Sequence, residues 1–220
     1  GDLAGSIFGG GEADTITVSA NRTIGGSVNG GLGNDQFTLA DGVRINGGAS
    51  GDGGEDSFNL TNDPTITADL AITADLAGGT EDDLFTFGTG TILIGTIDGG
   101  GDAGDTIDGG NTSTTFRIDG VNAGVMDTRM GGFTGILNLV GGSQADTFLF
   151  EGAGELGTAG GANGTIDGQG GNDVLATTDG SDAVTLNAAN AGSATVNNAS
   201  TDFVSLENVD LRTGNDTFTV

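Results

Sequence analysis

The chain has 220 residues, 46 of them Gly, with 31 acids, five Arg, no Lys, His or Cys, and a net charge of −26. Without His or Cys, the usual zinc, haem, copper and iron–sulfur ligand sets are excluded, as are Ser–His and Cys–His nucleophile pairs. So acidic a chain repels phosphate backbones, which removes nucleic acid from the expected partners, and it attracts hard divalent cations.

In chain order, one phrase keeps returning: a glycine-rich stretch, then Asp, any residue, and a large apolar residue. The aspartates are Asp14, Asp35, Asp56, Asp83, Asp105, Asp146, Asp173 and Asp216. Two residues after each stand Ile16, Phe37, Phe58, Phe85, Ile107, Phe148, Leu175 and Phe218. Two further on come Val18, Leu39, Leu60, Phe87, Phe150 and Val220, with Gly109 and Thr177 as exceptions. Apolar residues at every second position predict a half-buried strand opening at each Asp. Helical spacing is nowhere sustained, and so much glycine disfavours helices.

The steps between these aspartates are 21, 21, 27, 22, 41, 27 and 43 residues. Reading 41 and 43 as double steps gives a unit near 21. The first 27 contains a duplication, ITADLA at Ile66–Ala71 and again at Ile72–Ala77, which predicts one enlarged coil or a bulge. Three longer blocks emerge, about 14–82, 83–145 and 146–215, within one repetitive segment covering 1–220. GTIDGG at Gly95–Gly100 returns as GTIDGQ at Gly164–Gln169, and NAG at Asn122–Gly124 returns at Asn190–Gly192. Phe133, Ile136, Asn138 and Leu139 return as Phe203, Leu206, Asn208 and Val209.

Only 52 residues are Leu, Ile, Val or Phe, so a wide round core is not expected. Units of about 21 residues built from short strands and glycine turns predict an all-β, right-handed parallel β-helix of about nine coils. Stacking coils bury a thin apolar column. An antiparallel sandwich would also use short strands but would not need the same turn in every unit. Apolar runs are only two or three residues long, so no segment is expected to span a membrane. The opening Gly1–Asp2 reads as the middle of a longer chain rather than a secretory signal.

Gly30–Thr38, GGLGNDQFT, matches the GGxGxDxUx calcium nonapeptide, and Gly51–Asn59 and Gly168–Ala176 are degenerate copies. Stacked turns bring carboxylates of adjacent layers close, and a bound Ca²⁺ would relieve their repulsion. The eight aspartates named above are therefore the candidate calcium positions. An alternative account of the same residues is that each side chain accepts its own turn's N–H groups.

Asp146–Leu175 (DTFLFEGAGELGTAGGANGTIDGQGGNDVL) and Phe203–Val220 (FVSLENVDLRTGNDTFTV) resemble the repeat regions of very large bacterial surface exoproteins, the filamentous-haemagglutinin-like adhesins of two-partner secretion. The nonapeptides partly resemble those of the repeats-in-toxin family. The first resemblance implies a right-handed β-helix, export to the cell surface or biofilm matrix, and a stalk-like or adhesive role. Its expected partners are other copies of the chain, the rest of a longer chain, or cell-surface and matrix components. The second implies the alternative function, a calcium-responsive module that folds after secretion. No enzyme is expected: the five Arg are scattered, and no cluster of titratable groups interrupts the repeat. The missing Trp and Tyr, with Phe at inward positions, argue against aromatic sugar-binding shelves.

Overall fold

The structure, a computed structural model, describes residues 1–62, 71–157 and 162–220. Strands wind as a parallel β-helix whose two sheets enclose one thin apolar core. A coil begins with a strand of the first sheet such as Val28–Leu32. It turns through a Gly/Asp phrase into a strand of the second sheet such as Gln36–Ala40, and returns through the two-residue strand Arg44–Ile45. The next coil repeats this with Ala49–Gly53, Ser57–Thr61 and Ile72–Thr73.

Stacking is in register and parallel. Phe37 lies over Phe58, Phe58 over Phe85 and Phe85 over Ile107. On the other sheet Val28, Ala49, Leu76 and Ile97 form the matching column. Alternation along each strand turns these residues inward and Thr, Asn and Gln outward. The rings of Phe37 and Phe58 stack with centroids 4.3 Å apart, those of Phe58 and Phe85 at 5.0 Å, and those of Phe116 and Phe148 at 5.2 Å. Each fully buried ring contributes roughly 1.5–3 kcal/mol of transfer free energy, which is how a chain with few apolar residues sustains a core.

The 27-residue step is bridged in register, since Phe58 still meets Phe85. The first ITADLA copy lies outside the described residues except for its last residue, Ala71, and so does the enlarged coil expected there.

Two expectations need correction. Phe218, expected in the core beside the other rings, is 47% exposed, because its strand Thr217–Thr219 is the last row of the second sheet and no described strand covers it. The 41- and 43-residue steps are not pairs of plain coils. Each holds a meander with one reversed strand. After Thr106–Asp108 the chain lays down Thr115–Gly120 three rows beyond Leu93–Gly100, returns antiparallel as Ala123–Met126, and reverses again into Met130–Thr134, which stacks parallel on Leu93–Gly100. The second step does the same on the opposite sheet with Ala183–Ala188, Ala191–Val196 and Ala199–Val204.

The returning sequence phrases mark this device. NAG forms each hairpin turn, with Asn122 at φ 51° and Asn190 at φ 56°, a left-handed conformation that Asn tolerates better than most residues. Ile97 on the GTIDGG strand meets Phe133, and Ile166 on the GTIDGQ strand meets Phe203. The returning phrases thus occupy equivalent places in two meanders, and each meander hands the pattern to the other sheet.

Candidate functional site: a buried carboxylate ladder

The recurring Asp sits at the turn between sheets, where its side chain points inward rather than to solvent. Asp35, Asp56, Asp83, Asp105, Asp146 and Asp173 are each at most 2% exposed, while Asp14 and Asp216 are half-buried. In the first run each Oδ1 from Asp35 to Asp105 accepts the backbone N–H of the Asp one coil earlier. Asp14 N–H donates to Asp35 at 2.7 Å, Asp35 to Asp56 at 2.7 Å, Asp56 to Asp83 at 2.8 Å and Asp83 to Asp105 at 2.9 Å. The side chain therefore serves the neighbouring turn, not its own.

The meanders break this line into three. A second ladder begins at Thr114, whose N–H donates to Asp146 at 2.7 Å. It continues from Asp146 to Asp173 at 2.8 Å and from Asp173 to Glu207 Oε2 at 2.9 Å. A third joins Asp182 N–H to Asp216 at 3.1 Å. The first and third ladders lie where the chain passes from the first sheet to the second, and the second ladder lies on the opposite edge. Of the eight sequence-predicted positions, five share the first ladder, Asp146 and Asp173 share the second, and Asp216 stands on the third. Thr114, Asp182 and Glu207 were not foreseen. The Thr and Glu carry a different side chain at the same structural place, and Asp182 follows a phrase too degenerate to align.

The second carboxylate oxygen explains the glycines. Oδ2 of Asp35, Asp56, Asp83, Asp105, Asp146 and Asp173 is buried without a hydrogen-bond donor. For all of these but Asp105, whose Cβ and Cγ adjoin Gly99, it occupies the space a side chain would take on the glycine five residues before. A Cβ on Gly30, Gly51 or Gly78 would collide with the Oδ2 of Asp35, Asp56 or Asp83. Gly141 and Gly168 stand in the same relation to Asp146 and Asp173, with Oδ2 2.6 Å from the Cβ position in both.

Burial dominates the electrostatics. It pushes the Asp83 carboxyl up to about 7 and those of Asp56, Asp105 and Asp146 to about 6, and it raises Asp173 as well. The single N–H bond from the preceding coil opposes the shift, and neighbouring carboxylates add to it. Among the described residues, no three acidic side chains gather as a metal ligand set. The ladder puts carboxylates on a line, not around a common centre.

The joint between the first two ladders carries a buried cation. Arg129, 4% exposed, donates to the carbonyl oxygens of Thr91 at 3.1 Å, Gly88 at 2.9 Å and Gly109 at 2.5 Å, and to Thr114 Oγ1 at 3.1 Å. Its guanidinium lies 5.3 Å from the Phe87 ring centroid. Burial lowers its pKa, with Asp146 and Asp108 opposing. Asn197 caps the next joint, donating to the carbonyls of Gly152 and Gly154 at 3.1 and 3.0 Å. Neither residue stands out in the sequence, because only the folded meander brings these carbonyls together.

No protein family, curated protein or solved structure that the chain was compared with matches it.

Proposed function

We propose that this chain is a structural, adhesive segment of an exported bacterial surface or biofilm-matrix protein, acting as a rod that holds binding surfaces away from the cell. The observation carrying this reading is the uninterrupted stacking of eleven strands along the main path of each sheet. With rows about 4.8 Å apart, that is a rod of about 50 Å whose repeat serves length and lateral display. Outward positions hold short polar side chains such as Thr17, Thr38, Asn59 and Thr86, aligned from row to row. An aligned polar lattice on a stiff support suits multivalent, individually weak contacts. Sequence resemblance to adhesin repeats supports the same role.

The test is retention of coated beads on bacterial matrix under flow. Beads bearing the folded chain are expected to be held longer than beads bearing the heat-unfolded chain at equal density and charge. Equal retention would remove the adhesive role and leave a spacer.

A further inference from the structure

At Gly9, Gly51, Gly78 and Gly168 a carboxylate oxygen and a backbone carbonyl oxygen both border the space a Cβ would take. A Cβ on Gly51 would land on Asp56 Oδ2 and lie 2.6 Å from the Gly78 carbonyl oxygen of the following coil. On Gly78 it would meet Asp83 Oδ2 and lie 2.6 Å from the Gly99 carbonyl oxygen, and on Gly9 it would lie 2.5 Å from both Asp14 Oδ2 and the Gly30 carbonyl oxygen. A carboxylate oxygen and a carbonyl oxygen are both acceptors, so each repels the other unless something positive lies between them. The gap is smaller than a methyl group, and at Gly51 and Gly78 the three heavy atoms nearest the Cβ position are the carboxyl Oδ2 and Cγ and that carbonyl oxygen. Calcium takes six to eight oxygens at 2.3–2.6 Å. A proton needs two.

We propose that the ladder aspartates Asp56 and Asp83 are carboxylic acids, each donating Oδ2–H to the glycine carbonyl one coil along while Oδ1 accepts the N–H of the coil before. The side chain then joins three successive coils, and the rod is a proton-loaded stack that loosens as these protons leave. Asp56 and Asp83 are the central pair. The charged groups acting on Asp56 are Asp35, Asp52 and Glu81, and those acting on Asp83 are Asp56, Asp102 and Asp105. All are acidic, so no neighbouring cation holds either carboxyl ionised. Asp146 differs, because Arg129 faces it.

The direction of the pH effect follows from linkage. An acid that ionises at 3.8 in the unfolded chain and at about 6 or 7 in the folded one binds more protons when folded across that window. Stability is therefore full below about 4, declines as pH rises toward 7, and levels off above it. Each such carboxyl lowers the folding equilibrium constant by up to roughly tenfold per pH unit within the window.

Asn is the acid's neutral mimic: its oxygen accepts the same N–H, and its NH₂ donates to the same carbonyl. Urea unfolding of the wild type, Asp83→Asn and exposed Asp119→Asn at pH 5 and pH 8 tests the proposal. The advantage of Asp83→Asn over the wild type is expected to grow at least tenfold in folding equilibrium constant from pH 5 to pH 8, with Asp119→Asn gaining none at either pH. An Asp83→Asn chain that loses stability at pH 8 would overturn the proposal, as would an equal gain from Asp119→Asn. Should Asp83→Asn not fold, infrared spectra of the wild type decide. The carbonyl band of protonated carboxyl groups must persist at pH 6 and fade above 7, and its absence at pH 6 overturns the proposal. Chelator and added Ca²⁺ are expected to leave the pH 8 midpoint unchanged relative to a matched-ionic-strength control. A calcium-specific recovery there assigns the gap to a cation instead.

Discussion

A glycine and an aspartate five residues apart behave as one residue pair in this fold. The sequence makes the pair visible as a repeated phrase, but turn chemistry alone suggests that the glycines serve backbone conformation and that the acids face outward. The structure puts the acid indoors and makes the glycine the floor on which its carboxyl rests. Nothing in one sequence distinguishes these two uses, because the spacing is the same for both. The distinction has a measurable consequence. Gly51→Ala puts a methyl group onto Asp56 Oδ2 and beside the Gly78 carbonyl, both rigidly held, so it should destabilise the fold by about 3 kcal/mol. Gly101→Ala meets nothing within 4 Å and has no positive φ, so it should be neutral or stabilising by roughly 0.5 kcal/mol. Urea midpoints of the two variants check this, and equal effects would show that the glycines act only through chain entropy.

At the scale of strands, the period-two pattern identifies the inward residues that follow the recurring aspartates from Ile16 to Leu175 but is blind to strand direction. An antiparallel strand alternates in the same way as a parallel one, so the reversed strands Ala123–Met126 and Ala191–Val196 were hidden inside steps that looked like doubled coils. The clue was the NAG phrase recurring some seventy residues apart, since Asn before small residues suits the left-handed hairpin position. The reversal leaves carbonyls at the joint that no regular coil would satisfy, and Arg129 collects three of them. Arg129→Ala orphans those buried acceptors and uncovers the Phe87 ring. A loss of about 3 kcal/mol or more is expected, with the damage centred on the first meander. Hydrogen exchange would locate it: protection should fall in Thr115–Thr134 and hold in Gln36–Thr61. Uniform loss along the rod would mean that the joint is not an independent unit.

For the molecule as a whole, the apolar column settles the fold and the charge settles the conditions under which it is comfortable. A net charge of −26 spread along eleven rows amounts to roughly one charge per 2 Å of axis, close to the one per 1.7 Å of duplex DNA. Compensation inside the chain is slight. Arg117 pairs with Glu151 at 2.5 Å and lies 4.0 Å from Asp127, while Arg129 is spent on carbonyls. Such a rod is a stiff polyelectrolyte, and its self-repulsion grows as the chain is compacted, so folding works against the surface charge. Screening by simple salt should relieve the folded form more than the expanded one. Raising NaCl from about 10 mM to about 0.5 M shortens the screening length from about 30 Å to about 4 Å, less than the spacing of adjacent rows. The thermal midpoint at pH 8 should rise by several degrees across that range. At pH 4.5, where exposed carboxylates are partly neutral, the rise should be clearly smaller. A midpoint that falls with salt at pH 8 would mean that attractive ion pairs outweigh repulsion, contrary to a surface with so few cations.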